Sequence, residues 1–190
     1  ADSFGVTLLH HAALGQTEVA AALLDAGADV DAETTDWRTP LHFASSVEAD
    51  GAESMMTLLL DRGANVDAVN NRGRTHLFCV RTPATASVLV QRCADLNIQD
   101  SDGNTGLHHI STVGYDPPYI YDPPPVEVVE LLADNSADLY ALNNKGETPA
   151  EMTSLFELTE ARGYLRQRME EDRVRQGALK NAMTADGDDC

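Results

Sequence analysis

The stretch Thr39-Pro40-Leu41-His42-Phe43-Ala44 decides the fold of this 190-residue chain. Threonine is a good helix N-cap, and proline at the next position already has the backbone φ of a first helical turn. Related phrases begin at four other threonines, which are Thr7, Thr75, Thr105 and Thr148. The five threonines are 32, 36, 30 and 43 residues apart, so the phrase opens a unit that occurs five times.

A second phrase follows each of the first four helix openings and marks the end of another helix. In the first unit it reads LLDAGADVD over residues 23–31. Val19, Leu23 and Leu24 give the preceding segment one apolar face, as expected of an amphipathic helix. After Gly27, alternating polar and apolar residues lead through a turn into the next threonine. Each unit is therefore predicted to contain two helices and a hairpin-like connector.

The period and the Thr39–Ala44 phrase resemble the ankyrin repeat family, whose repeats of about 33 residues carry a T-P-L-H-x-A signature. The resemblance covers residues 2–170 and implies an all-α solenoid of stacked helix pairs joined by β-hairpin-like fingers, with a concave surface that binds partners. The predicted repeats, the last of them degenerate, are 1–34, 35–70, 71–100, 101–143 and 144–175. An acidic, disordered tail is predicted for residues 176–190.

The composition disfavours several other classes of function. A formal net charge of −18, from 31 acidic and 13 basic side chains, argues against nucleic acid and anionic membranes as partners. No apolar run is long enough to span a bilayer. Three cysteines without a CxxC pair argue against a disulfide framework and a zinc site, and favour a reducing compartment, cytoplasmic or nuclear. Residue 1 runs directly into a repeat without an initiator methionine, which indicates a chain cut from a longer one.

The histidines are the side chains that most invite a chemical interpretation. His10, His42 and His108 occupy the same position in three repeats, as expected of a structural hydrogen bond within a Thr-x-x-His turn. Adjacent histidines such as His10 and His11 diverge by about 100° on a helix, so they do not easily share one metal ion. The sequence contains no phosphate-binding glycine loop, nucleophile elbow or zinc-binding helix motif. We predict a non-enzyme without a cofactor, metal or small-molecule substrate.

Trp37, the single tryptophan, departs from the repeat pattern. The corresponding turn position in the other repeats is held by Gly5, Gly73, Gly103 and Gly146. Glycine there indicates a backbone conformation that is unfavourable for a bulky side chain. Tryptophan at a finger tip cannot be buried among helices, and it is enriched at binding hot spots. Trp37 is therefore either an anchor for a partner or a side chain that packs on a neighbouring finger.

Repeat four contains an insertion between its two helices. Residues 115–125 read YDPPYIYDPPP, and the five prolines disfavour a helix and favour polyproline II. The insertion is either a second contact for a partner or an addition that the solenoid tolerates.

Two further segments depart from the pattern. Repeat three is predicted to be irregular, with Pro83 interrupting its first helix, Phe78 in place of the histidine and Cys93 in place of the glycine. A weak middle repeat is a possible flexion point in such an array. Residues 155–175 have the mixed charge of a polar capping helix.

Acidic side chains recur at corresponding finger positions, and the first 70 residues contain only Arg38 and Arg62 as basic side chains. Such a stripe favours a partner rich in lysine and arginine, beyond the solubility that acidic charge alone provides. Asp36 beside Trp37 indicates a site for a cationic head group.

The sequence therefore predicts a module for protein–protein interaction. Its predicted partner-binding residues are Trp37, Asp29, Asp31, Asp36, Asp67, Asp100, Asp102, Tyr115, Tyr119 and Tyr121. Two alternatives stay open, namely a regulatory or substrate-recruiting segment of a larger enzyme and a module that self-associates through the Pro/Tyr insertion.

Overall fold

A computed structural model describes residues 1–47, 51–110, 115–116, 119–120, 125–152 and 159–185. The α-helices are α1 (Leu8–Ala12), α2 (Thr17–Asp25), α3 (Pro40–Ser45), α4 (Ala52–Asp61), α5 (Pro83–Gln91), α6 (Gly106–Ile110), α7 (Val126–Asp134), α8 (Pro149–Met152) and α9 (Thr159–Ala185). A 3₁₀ helix spans His76–Cys79, and two short strands are β1 (Tyr115–Asp116) and β2 (Tyr119–Ile120).

The helices form two layers. The first helices of successive repeats pack in the order α1, α3, the 3₁₀ helix, α6 and α8, and the second helices in the order α2, α4, α5, α7 and α9. Leu9, Leu41, Leu77 and Leu107 lie at the same position in the first layer and are buried. Because each repeat contacts only its neighbours, the core is continuous along the stack. The predicted all-α solenoid of helix pairs is confirmed.

The histidines of the Thr-x-x-His turns are structural, as predicted. The amide of Thr39 donates to Nδ1 of His42 at 3.1 Å, so Nε2 carries the proton and donates to the carbonyl of Arg74 at 3.1 Å. His10 and His108 make the equivalent bonds to the carbonyls of Arg38 and Glu147. Each imidazole therefore ties the start of its own helix to the connector of the next repeat.

Repeat three is irregular, as predicted, but Pro83 is not the cause. Pro83 does not interrupt the first helix. It is the first residue of α5, where its missing N–H costs nothing, and Thr82 is the N-cap. The first element is a 3₁₀ helix in which buried Phe78 replaces the histidine. An ion pair between Arg74 Nε and Asp100 Oδ2, at 3.1 Å, instead connects the turn before this repeat's first helix with the turn that follows the repeat.

The insertion and the C-terminal helix both differ from the sequence-based expectation. Strands β1 and β2 pair in antiparallel fashion, so polyproline II is wrong for these four residues, which keep the amide donors that proline lacks. Helix α9 continues to Ala185, past the predicted boundary at 175, because residues 176–185 consist largely of strong helix formers. Residues 186–190 lie outside the described residues.

Candidate protein-binding surface

The connectors between repeats form five tight turns, called here fingers 1 to 5, over residues 2–6, 34–38, 70–74, 100–104 and 143–147. In finger 2 the amide of Thr34 donates to the carbonyl of Arg38 at 3.0 Å, and each of the other fingers repeats this bond. Neighbouring fingers are also joined, since the amide of Thr35 donates to the carbonyl of Phe4 at 2.8 Å. The tips therefore lie side by side in a hydrogen-bonded row.

Trp37 has the left-handed backbone conformation that the glycine pattern predicts. Its φ is +60°, against +74° to +77° for the four glycines at the same position. The residue is 55% exposed, so much of its side chain faces solvent. Not every finger has room for a side chain there. A Cβ on Gly103 would approach the backbone amide of Asn144 to 2.7 Å, whereas a Cβ on Gly146 would meet no atom within 4 Å.

Phe4 is a second exposed aromatic residue, and sequence reasoning missed it. It is 67% exposed at the tip of finger 1, and its carbonyl accepts the bond from Thr35 of finger 2. Two aromatic side chains thus project from adjacent fingers. The signal that identifies Phe4 is its register, because it immediately precedes Gly5 just as Asp36 precedes Trp37.

The tip position that Phe4 and Asp36 share carries no uniform charge. The same position in fingers 3, 4 and 5 is held by Arg72, Asp102 and Lys145. Asp36 and Asp102 are exposed, as a role in partner binding requires. Asp36 Oδ1 also accepts from Asn71 Nδ2 at 3.3 Å, which orients its carboxylate beside Trp37. The tips of the five fingers therefore do not form a uniformly acidic row.

Asp31 and Asp67 belong to a hydrogen-bond ladder that links the repeats, and Asp29 lies beside it. The amide of Asp31 donates to Asp29 Oδ1 at 3.1 Å, and both oxygens of Asp31 accept from the amide of Asn65 at 3.1 and 3.2 Å. The amide of Asp95 donates in turn to Asp67 Oδ1 at 2.9 Å. Asp31 and Asp67 are half-buried and Asp29 is exposed. Asp31 and Asp67 therefore hold neighbouring repeats together, whereas the bond to Asp29 is local.

Asp100 is placed inside finger 4 rather than on its surface. It is 7% exposed, and its Oδ1 accepts from the amides of Asp102 and Asn104 at 3.0 and 2.9 Å. Its Oδ2 forms the ion pair with Arg74. The carboxylate is therefore satisfied within the protein and is poorly placed to reach a partner.

The acidic charge is unevenly distributed along the stack. Residues 1–47 contain one basic side chain, Arg38. The seven acidic side chains of this range are Asp2, Glu18, Asp25, Asp29, Asp31, Glu33 and Asp36. Residues 51–110 contain six acidic and five basic side chains, so that region is nearly neutral. Residues 125–152 are acidic again, with six acidic side chains and one basic. Fingers 1 and 2 therefore combine the exposed aromatic residues with one of two strongly negative regions.

The tyrosines of the insertion are not brought to these fingers by any described contact. Tyr115 pairs with Ile120 and Asp116 with Tyr119 in the β1–β2 ladder. Tyr121 lies outside the described residues.

Two buried histidines form a pair beneath fingers 2 and 3. The rings of His42 and His76 are 4.0 Å apart, and Thr39 Oγ1 lies 3.2 Å from His76 Nε2. Burial lowers the pKa of His42 to about 4 and that of His76 to about 3, so both are neutral at pH 7. Within the described residues no three His, Cys, Asp or Glu side chains are grouped to hold a metal ion.

These features define a class, namely stacked helix pairs with a row of protruding fingers. Residues 1–70 match the family model described as ankyrin repeats (3 copies). The chain is 32% identical over 152 residues to neurogenic locus notch homolog protein 1 of Homo sapiens, and 33% identical over 152 residues to that of Mus musculus. It is 34% identical over 150 residues to neurogenic locus notch homolog protein 2 of Homo sapiens. The matches cover 77–78% of this chain but only 6% of each relative's length.

The chain belongs to the ankyrin repeat family. An ankyrin stack is in general a protein-interaction module rather than a catalytic one. None of the helices described here combines the length and the apolar character needed to cross a membrane.

Proposed function

We propose that fingers 1 and 2 bind a lysine- or arginine-bearing segment of a protein partner. The observation that carries the proposal is the pair of exposed aromatic residues, Phe4 and Trp37, on adjacent hydrogen-bonded fingers in a strongly acidic part of the described stack. Aromatic residues at such positions supply the large contact areas typical of interface hot spots.

The backbone of Trp37 supports this assignment. A non-glycine residue at φ +60° costs on the order of 1 kcal/mol or more. Packing within the stack does not explain why this cost is accepted, because the residue remains 55% exposed. Glycine serves at the same position of the other fingers. A contact made only when a partner is bound accounts for a tryptophan here.

The charges around Trp37 favour a cationic partner group. Asp36 is exposed in finger 2, and Asp29 and Glu33 are exposed in the segment that leads into it. The tryptophan face attracts an ammonium or guanidinium group. Arg38, the basic side chain of this region, lies with its guanidinium carbon 6.0 Å from the centre of the Phe43 ring. The net negative potential speeds association with a basic segment and opposes an acidic one.

The proposal assigns the ten predicted residues different roles. Trp37, Asp36 and Asp29 remain partner-binding residues in this proposal, with Phe4 and Glu33 added. Asp31, Asp67 and Asp100 are assigned to the stack because their carboxylates bind neighbouring backbone amides. Asp102 is the exposed acidic residue of finger 4 and contributes to steering. The insertion tyrosines are left as a separate contact.

Trp37 fluorescence provides a direct test, since it is the single tryptophan. Synthetic peptides of equal length that alternate alanine with arginine, glutamine or glutamate are titrated into the protein. We expect the arginine peptide to change Trp37 emission, with an affinity that falls severalfold between 50 and 200 mM salt, as screening shortens from roughly 14 to 7 Å. The glutamate peptide is expected to have no effect.

Two variants locate the site in the same assay when the peptide carries a fluorophore. Trp37→Gly installs the residue that the other fingers use, and Phe4→Ser removes the second ring; each is expected to weaken binding by roughly tenfold or more. Asp102→Asn in finger 4 is the matched control and should change affinity less than threefold. Equal losses in all three variants, or binding of all peptides alike, would show that fingers 1 and 2 are not the site.

A further inference from the structure

The outer face of the first repeat exposes apolar side chains at positions that later repeats bury. Leu8 is 71% exposed and Val19 is 47% exposed. Counted back from the helix ends, Val19 corresponds to Met55, Thr85 and Val128, each 2% exposed or less. The position of Leu8 is held in later repeats by Pro40, His76, Gly106 and Pro149, all buried.

The contacts of His76 show which neighbour covers this position. His76 is the counterpart of Leu8 in repeat three, and its ring contacts His42 and Thr39 of the preceding repeat. The face that carries Leu8 and Val19 is thus the face that every later repeat turns toward its predecessor. It continues the series of repeat–repeat interfaces already present in the molecule.

Backbone groups on the same face lack the bonds that their counterparts make. In the part of the chain that the structure describes, the amides of Ser3 and Asp29 have no hydrogen-bond partner. In later fingers the equivalent amide donates a hydrogen bond to the carbonyl at the tip of the preceding finger. These amides belong to Thr35, Asn71, Ser101 and Asn144. In later repeats the equivalent amide donates a hydrogen bond to a side-chain oxygen of the preceding repeat. These amides belong to Asn65, Asp95 and Asp138.

Val6 completes the pattern. Its carbonyl accepts a hydrogen bond from the amide of Asp2 within finger 1, and the equivalent bond closes each of the other fingers. The corresponding carbonyls of Arg38, Arg74 and Glu147 also accept an imidazole N–H from the preceding repeat. Val6 has no such donor among the described residues.

The opposite end of the stack is closed. Helix α9 packs on α7 and α8 and buries Leu165 completely, and its outer face is charged. Terminal repeats of such arrays need a polar outer face to be soluble. Within the described residues, only the end formed by α9 meets this requirement. A second copy of the chain would have to dock on α1 and α2 with the free face of its own last repeat, and α9 already covers that face.

We propose that the outer face of α1 and α2 docks one further repeat of the same geometry, joined to the N-terminal side of residue 1 in one polypeptide. That repeat would present an imidazole N–H to the Val6 carbonyl, a fingertip carbonyl to the Ser3 amide and a side-chain oxygen to the Asp29 amide. Its apolar side chains would cover Leu8 and Val19. Covalent connection gives the two faces a high effective concentration, which a separate partner lacks.

The first repeat itself carries every group that this occupant needs, so a tandem duplication tests the proposal. A second copy of residues 2–33 is inserted between Ala1 and Asp2, which keeps the 32-residue register of the first two repeats. The added copy then supplies its own His10, its Phe4 carbonyl and its Asp31 carboxylate. We expect the melting temperature to rise by roughly 5 °C or more and the exchange of the original Asp29 amide to slow at least tenfold.

Two controls keep the outcome unambiguous. His10→Ala with Asp31→Ala, in the added copy only, should remove most of the protection at the Asp29 amide. Leu8→Glu with Val19→Glu, in the original repeat, should abolish the gain in the extended chain yet shift the melting temperature of the 190-residue chain by less than about 2 °C.

An unchanged melting temperature and unchanged amide exchange after the insertion would overturn the proposal. It would also be overturned by light scattering that shows a dimer of the 190-residue chain which the double glutamate variant dissociates, because the face would then belong to a second copy. Neither result depends on peptide binding at fingers 1 and 2.

Discussion

Fingers 1 and 2 differ from fingers 3 and 4 in a few side chains, while the backbone of all four is the same. Each is closed by the same amide-to-carbonyl bond and joined to the next finger by another. Fingers 1 and 2 expose Phe4 and Trp37, whereas the corresponding positions of finger 4 are Asp102 and Gly103. The comparison shows that the hydrogen-bonded frame is general and that the individuality of the surface lies in what is placed on its tips.

The same comparison shows that room for a side chain differs between fingers. Trp37 and Gly103 share the left-handed conformation, with φ of +60° and +77°. A Cβ at Gly103 would meet Asn144 Oδ1 at 2.6 Å and the Asn144 amide nitrogen at 2.7 Å. Glycine in finger 4 is therefore required by the neighbouring finger as well as by φ.

The strongest way to break the comparison is to place a side chain on finger 4. Gly103→Ala combines the left-handed strain with the approach to the backbone of Asn144, so we expect a loss of about 3 kcal/mol in the free energy of unfolding. Gly146→Ala in finger 5 carries only the strain and should lose about 1 kcal/mol. Urea denaturation of both variants measures the difference. Equal losses would mean that fingers 4 and 5 do not differ in the room they have for a side chain.

A second test concerns the interfaces below the fingers. The unfolded imidazoles of His42 and His76 take up protons below pH ~6.5, whereas the folded state resists this until pH is near 4. The free energy of unfolding should therefore be unaffected by these two histidines above pH ~6.5 and should fall as the pH drops toward 4. For His42 alone the loss should be on the order of 3 kcal/mol. Denaturation curves at several pH values measure this loss.

His76→Pro is the matched variant for the pH test. It installs the residue that begins α3 and α8 and removes one buried imidazole. The slope of the free energy of unfolding against pH should become shallower. An unchanged slope would assign the acid sensitivity to other groups. The interface between repeats three and four, which uses Phe78 and the Arg74–Asp100 pair, has no histidine at this position.

The smallest expected effect is on the stability of fingers 1 and 2 themselves. Trp37→Gly relieves left-handed strain but gives the unfolded chain more freedom, so the free energy of unfolding should change by less than about 1 kcal/mol. Thermal unfolding checks this alongside the binding assay. A loss of several kcal/mol would mean that Trp37 is a packing residue of the stack, and the distinction between the two pairs of fingers would weaken.

Much of the fold could be predicted because it depends on local rules that the sequence repeats. The Thr-Pro helix starts, the Thr-x-x-His hydrogen bonds and the left-handed conformation of Trp37 all follow from residue type at a fixed register. The 3₁₀ helix at His76–Cys79 could not be predicted from the period. A proline either interrupts a helix or begins one, and the period does not tell whether Pro83 falls in the first helix or at the start of the second.

The candidate site was less predictable, because sequence does not distinguish a carboxylate that faces solvent from one that binds a backbone amide. Asp36 and Asp100 are both finger aspartates, yet the first is exposed and the second is buried against Arg74. Phe4 precedes Gly5 as Asp36 precedes Trp37, so its equivalence to Asp36 can be read from the sequence, whereas its 67% exposure cannot.

The bonds between fingertips run along the stack, from the amide of Thr35 to the carbonyl of Phe4 and onward to the next fingers. A pulling force applied between the two ends of the molecule would load these junctions in series, so every junction would carry the same tension. The weakest would give way first, and the chain would lengthen one repeat at a time. The resistance of the whole row to such a force would then be set by its least secure junction.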